Sequence, residues 1–139
     1  MFKSIRPEVA GGFGKETKLD TKVHPPIVYH LHYEFQGWLR NDILATFPCF
    51  IVTENLKESI LKTGLSGVVF DDVKITTSFE FRQLYPNLVL PRFNWMKVSG
   101  QAGKDDFGVS GEFRLIVSEE AYNLLSNFNI SAASIQDYK

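Results

Sequence analysis

The chain has 139 residues, of which 44% are hydrophobic and 14% aromatic, with twelve Phe. That length suits one domain, and so much apolar surface excludes a disordered chain. Fifteen basic against sixteen acidic side chains leave a formal net charge of -1, so no bulk attraction to nucleic acid or to a membrane surface is expected.

Residues 1–26 mix Gly, Pro, Lys and Thr without periodicity and end in Pro25-Pro26, a pair that forbids helix. They are expected to form an N-terminal arm, leaving 27–139 as a single α+β domain. IVYHLHYEF alternates, with Ile27, Tyr29, Leu31, Tyr33 and Phe35 on one face and Val28, His30, His32 and Glu34 on the other, as a strand with one buried face should. FPCFIV reads as a short buried strand. Thr53 can cap a helix after it, with Leu56, Ile60 and Leu61 on the apolar side and Gly64 as its end.

GVVFDDVKIT reads as one further strand, SFEFRQLY as a short helix stopped by Pro86, and RFNWMKVSG as a strand with Phe93, Trp95 and Lys97 on one side. FRLIV is a strand. Ser118 can cap the helix EEAYNLLSNF, whose Glu119 and Glu120 suit the positive end of the helix dipole, and SIQDY closes the chain as a last strand. The expected fold is α+β, a central mainly antiparallel sheet of five to seven strands with two or three helices packed on it.

Laid on itself at an offset of 65 residues, the chain shows a weak echo: Ile51, Val52, Thr53 and Glu54 fall on Ile116, Val117, Ser118 and Glu119, and Ser66 and Asp72 on Ser131 and Asp137. Each copy reads strand, capped helix, strand. A true repeat would place both units on a shared sheet. The other explanation is that any two strand-to-helix joints with a hydroxyl cap and an acidic first turn look alike.

Several stretches suggest chemistry. Asp106-Phe107-Gly108 matches the magnesium-binding tripeptide of protein kinases, but the Gly-rich loop, strand lysine and catalytic loop that give it meaning are missing, so a turn is expected. AGGFGKET fails as a phosphate loop because Val9 and Glu16 stand where Gly and Ser or Thr are needed. His30, His32 and Glu34, at alternate positions of one strand face, could meet a divalent metal, although an exposed polar face gives the same pattern. Cys49, between Pro48 and Phe50, is expected to be buried with a raised thiol pKa; as the only cysteine it can form neither an intramolecular disulfide nor a Cys-based zinc site. Asp71-Asp72 and Asp105-Asp106 are adjacent pairs, poor geometry for a shared acid and base, yet an acidic surface can dock a partner.

The segments RPEVAGGFG, VHPPIVYHLHYEFQGWLRNDIL, FPCFIVTENL, LYPNLVLPRFNWMKVSGQAGKDDFG and RLIVSEEAYNLL together resemble a family of small, mostly uncharacterised bacterial proteins, itself similar to immunity proteins of polymorphic toxin systems. The tie to immunity proteins rests on the C-terminal third: a Leu-Pro step, an aromatic strand, a D-x-F-G turn, then RLIVSEEAYNLL and a closing strand. The resemblance implies a non-enzymatic protein that binds a cognate toxin and blocks its active site or assembly. It supplies no catalytic residues, and no cofactor is expected.

No run approaches the roughly 20 apolar residues of a membrane span, and MFKSIRPEVAGGFG lacks the apolar middle of a secretory signal, so the expected location is the cytoplasm. A protein-binding module would use aromatic anchors such as Trp38 and Tyr85 beside acidic Asp71, Asp105 and Asp106. A small metal-dependent enzyme using His30, His32 and Glu34, and a structural or regulatory domain, are the alternatives.

Overall fold

A computed structural model describes residues 1–139. In chain order its first half holds β1 (Lys3–Arg6), β2 (Gly11–Phe13), β3 (Lys18–Asp20), β4 (Ile27–His30), β5 (His32–Phe35), β6 (Ile43–Thr46), β7 (Cys49–Thr53) and α1 (Glu54–Thr63). The second half holds β8 (Val68–Asp71), β9 (Lys74–Thr77), α2 (Phe79–Leu84), β10 (Phe93–Val98), β11 (Phe107–Val109), β12 (Leu115–Val117), α3 (Glu119–Leu125) and β13 (Ser134–Asp137). The class is α+β, as expected, and the paired strands run antiparallel except for β5 and β9. None of the helices is long and apolar enough to cross a membrane.

The strands divide over four sheets and do not form one central sheet. Two of these have four strands and share one topology: β6-β7-β10-β8 and β11-β12-β1-β13. In each, a strand feeds a helix and the next strand returns parallel to the first, with a strand from elsewhere in the chain inserted antiparallel between them. This is a split β-α-β unit, present twice. The inserted strand is β10 in one unit and β1 in the other.

The two units match in register as well as order. Val52 lies opposite Asn94, and Phe70 opposite Met96, two residues further along β10. Val117, 65 positions after Val52, lies opposite Lys3, and Ile135, 65 after Phe70, lies opposite Ile5. The echo in the sequence is therefore a structural repeat, although the units occupy separate sheets and not a shared one. What they share is a core. Its 12 buried residues sort into six equivalent pairs: Ile43 with Phe107, Phe50 with Leu115, Val52 with Val117, Leu56 with Ala121, Ile60 with Leu125, and Met96 with Ile5. Each pair takes one residue from each half, and each fully buried aliphatic or Phe side chain contributes about 1.5–3 kcal/mol.

A second core lies on the other face of the first sheet. There Leu44, Ile51, Phe93 and Trp95 meet Leu31, Tyr33 and Phe35 from β5 and Phe81 from α2. The Phe35 ring centre is 5.2 Å from that of Phe93 and 5.0 Å from that of Tyr33. Burial raises the Tyr33 hydroxyl pKa to about 12; it accepts a hydrogen bond from Ala10 N–H and donates one to the Ala45 carbonyl.

Four expectations need correction. Residues 1–26 are no arm: β1 lies between β12 and β13 with Ile5 buried, and β2 pairs with β5. IVYHLHYEF is two strands in different sheets, because β4 pairs with β3 in a small hairpin. There Ile27 and Tyr29 are exposed and Val28 packs inward, so the face reverses before Leu31. GVVFDDVKIT breaks after Asp71, whose carboxylate accepts the Asp72 N–H, and its halves join different sheets. Leu61 is exposed on α1, while Gly64 ends that helix with φ 75 as a left-handed cap.

Candidate partner-binding site

The hairpins β6–β7 and β11–β12 are equivalent in the two units, and their turns place an aromatic side chain each at the surface. Phe47 leads the tight β6–β7 turn. Phe113 sits in the β11–β12 turn with φ 63, a left-handed conformation that a bulky residue adopts only when its surroundings impose it. Ser110 imposes it here: its carbonyl accepts the Phe113 N–H at 2.8 Å, its N–H donates to the Arg114 carbonyl, and its Oγ accepts the Arg114 N–H. The Phe47 and Phe113 ring centres lie 6.0 Å apart, edge to face, and His24 packs against both at 5.9 and 5.3 Å. Between the two hairpins runs a mainly apolar groove of about 460 Å³, walled by Pro7, Val9, Phe47, Pro48 and Phe113.

Two aspartates hold these hairpins to the rest of the fold. Asp106 Oδ1 accepts from Ser118 Oγ at 2.6 Å, and its Oδ2 accepts from Ser66 N–H at 2.8 Å. Asp42, at the equivalent place, accepts from Thr53 Oγ1 at 2.9 Å and from Asn129 N–H at 2.8 Å. Each aspartate thus binds the head of its own unit's helix and the segment that follows the other unit's helix. Burial pushes the Asp106 carboxyl up, but the hydrogen bonds from Ser118 and Ser66 outweigh it and hold its pKa below the usual carboxylate range. Asp106-Phe107-Gly108 is accordingly not a turn: the turn precedes it, and Phe107 and Gly108 begin β11.

The caps divide in the same comparison. Ser118 Oγ accepts from Ala121 N–H, as a cap should, whereas Thr53 occupies the cap position of α1 without making a capping bond. The Thr53 hydroxyl makes only the donor bond, to the Asp42 carboxylate, where Ser118 makes both a donor and an acceptor bond.

His30, His32 and Glu34 do not assemble a ligand set. His32 is buried, its Nδ1 accepts from Glu16 N–H at 3.2 Å, and its Nε2 lies 2.7 Å from Thr76 Oγ1. With Nδ1 accepting, the proton sits on Nε2, which donates to Thr76. Thr76 donates in turn to Glu34 Oε1 at 3.3 Å. Both imidazole nitrogens are therefore engaged, and His32 presents no base to the Thr76 hydroxyl. His30 is exposed on the other strand, and no three His, Cys, Asp or Glu side chains are placed to hold a metal ion. The three residues of the expected metal set are thus not brought together.

The residues expected to anchor a partner have varied positions. Trp38 is half-buried: its Nε1 donates to the Asn41 carbonyl, its ring meets Phe35 and Phe93 edge to face, and the Arg40 guanidinium lies 5.3 Å from its centre. Tyr85 is partly exposed and packs on Phe81 at the end of α2. Asp71 is exposed, 3.6 Å from Lys97 Nζ. Asp105 is half-buried and accepts the Gln101 N–H at 2.6 Å, closing the turn before β11. Asp105 and Asp106 thus hold the chain's own backbone. Cys49 is buried, and its thiol is pushed up to about 12 by desolvation, as an inert core cysteine should be.

The sequence reading put Phe47 and Phe113 at the heads of the strands FPCFIV and FRLIV; both lie instead in the turns before β7 and β12, exposed, and the groove between them escaped it. The available signal was a lone Phe beside Pro48 and another two residues after Gly111, large apolar side chains at positions that turn chemistry assigns to polar ones.

Fold and groove together define an α+β protein built on a duplicated split β-α-β frame with an apolar surface groove. The chain matches no protein-family model, and no curated protein matches it.

Proposed function

We propose that this chain is a non-enzymatic protein-binding module, an immunity protein that neutralises a cognate bacterial toxin in the cytoplasm. The observation that supports this best is the pair Phe47 and Phe113, held at the surface by short hydrogen-bonded turns beside a groove of about 460 Å³. Aromatic side chains fixed in this way lose little entropy on binding and are typical interface anchors. The residues behind the immunity resemblance are consistent with it: RLIVSEEAYNLL forms β12, the Ser118 cap and α3, within the second repeat unit.

The test is a binding measurement with the C-terminal domain of a secreted toxin encoded beside this gene. A Kd tighter than about 1 µM, with loss of toxicity on co-expression, supports the reading. Absence of binding at micromolar concentration rejects it.

A further inference from the structure

We infer that the groove between the two hairpins seats an apolar side chain of a partner protein together with a neighbouring carboxylate of that partner, the carboxylate bound by Arg6 and Arg114. This deepens the immunity reading and rests on it for the identity of the partner. Both arginines line the groove and no acidic side chain does, while Arg114 also borders the adjoining cleft lined by Glu112 and Asp137. Neither guanidinium takes part in any ion pair of the chain. An unpaired guanidinium beside apolar walls favours a carboxylate, which it can bind through two parallel hydrogen bonds with little competition from water.

Exposure supports the same occupant. Val9, Phe47 and Phe113 are 69%, 50% and 36% exposed, so with the His24 ring packed on the two Phe rings a contiguous apolar surface still stays open. Such walls suit a Phe, Leu or Met side chain, and the volume accepts one or two of them. A nucleic acid would meet apolar walls and a net charge of -1, with two cations to set against its phosphates.

The experiment follows backbone amides by NMR in the full-length, nitrogen-15-labelled chain during titration with 3-phenylpropionate and with its uncharged amide. The acid is expected to shift Val9, Phe47, Phe113 and Arg114 and to bind about five- to tenfold more tightly than the amide. The variant carrying Arg6→Gln and Arg114→Gln, at an exposed and a half-buried position with no ion pair of their own, should keep its fold and lose that preference. Scattered shifts, equal binding of acid and amide, or a preference that survives in the variant would overturn the inference, as would a single-stranded oligonucleotide that saturates the same amides more tightly than the acid.

The toxin domain separates this inference from the immunity reading. If the wild type binds the domain and the arginine variant binds it equally well, the groove is not the seat and the immunity reading stands. If the wild type fails to bind the domain while the acid still selects the groove, the immunity reading falls and the groove stands as the seat of another partner of the same chemistry.

Discussion

Asp42 and Asp106 do the same work in the two halves of this molecule, each accepting a hydroxyl hydrogen bond from the residue before a helix and a backbone N–H from the opposite half. The halves are thereby joined by polar contacts at both ends of the core that their twelve equivalent residues form. A buried or half-buried acceptor that holds two donors leaves both unpaired when it is removed.

Asp106→Ala and Asp42→Ala are each expected to lower stability by about 2–3 kcal/mol. Ser118→Ala removes both a capping bond and the Asp106 contact and should cost about 2 kcal/mol, whereas Thr53→Ala removes the Asp42 contact alone and should cost about 1 kcal/mol. Urea midpoints at constant slope would measure all four. A Thr53→Ala cost above that of Ser118→Ala would contradict the division of roles between the caps.

Removal of residues 1–6 distinguishes a strand from an arm. Because β1 supplies the strand between β12 and β13, its loss should abolish the cooperative unfolding transition seen by circular dichroism. The milder Ile5→Ala should cost about 2–5 kcal/mol, since it empties a fully enclosed core site. A deletion variant with an unchanged melting curve would show that β1 contributes nothing to the second sheet.

His32 should make stability depend on pH. Burial holds its pKa below 6.5, helped by the Lys74 charge and opposed by the smaller upward pull of Glu16. The unfolded chain therefore binds the proton first as pH falls, so stability is full above about pH 6.5 and declines through the lowered folded pKa. His32→Gln should flatten the fall in melting temperature between about pH 7 and pH 5. Gly14→Ala tests the same packing at neutral pH: a Cβ there would overlap the His32 ring, at an expected cost of about 1–3 kcal/mol. An identical pH profile in wild type and His32→Gln would show that another group governs the acid limb.

Local signals were legible wherever the physics is local. The Ser118 cap, the Gly64 helix end, the burial of Cys49 and the 65-residue echo all follow from short-range chemistry or from patterns within short segments. The same locality explains β10, read correctly as a strand with Phe93, Trp95 and Lys97 on one side, where the Lys97 ammonium lies 4.7 Å from the Trp95 ring centre.

What needed the tertiary structure was every choice between distant partners. KSIR contains one apolar residue, so nothing in it announces a strand; it becomes one because the other repeat unit has β10 in the equivalent place and the second unit needs a partner between β12 and β13. IVYHLHYEF alternates without a break, yet pairing with β3 on one side of Leu31 and with β2 and β9 on the other divides it. His32 looked like a ligand until Glu16 and Thr76, far from it in sequence, were found on its two nitrogens. Sequence by itself determined the α+β class and where the helices start, and raised the duplication as one of two readings, because these depend on periodicity and neighbouring residues. Only the tertiary structure decided the strand order, the two cores and the groove at Phe47 and Phe113, because hydrogen-bond partners and buried neighbours are selected by geometry across the whole chain.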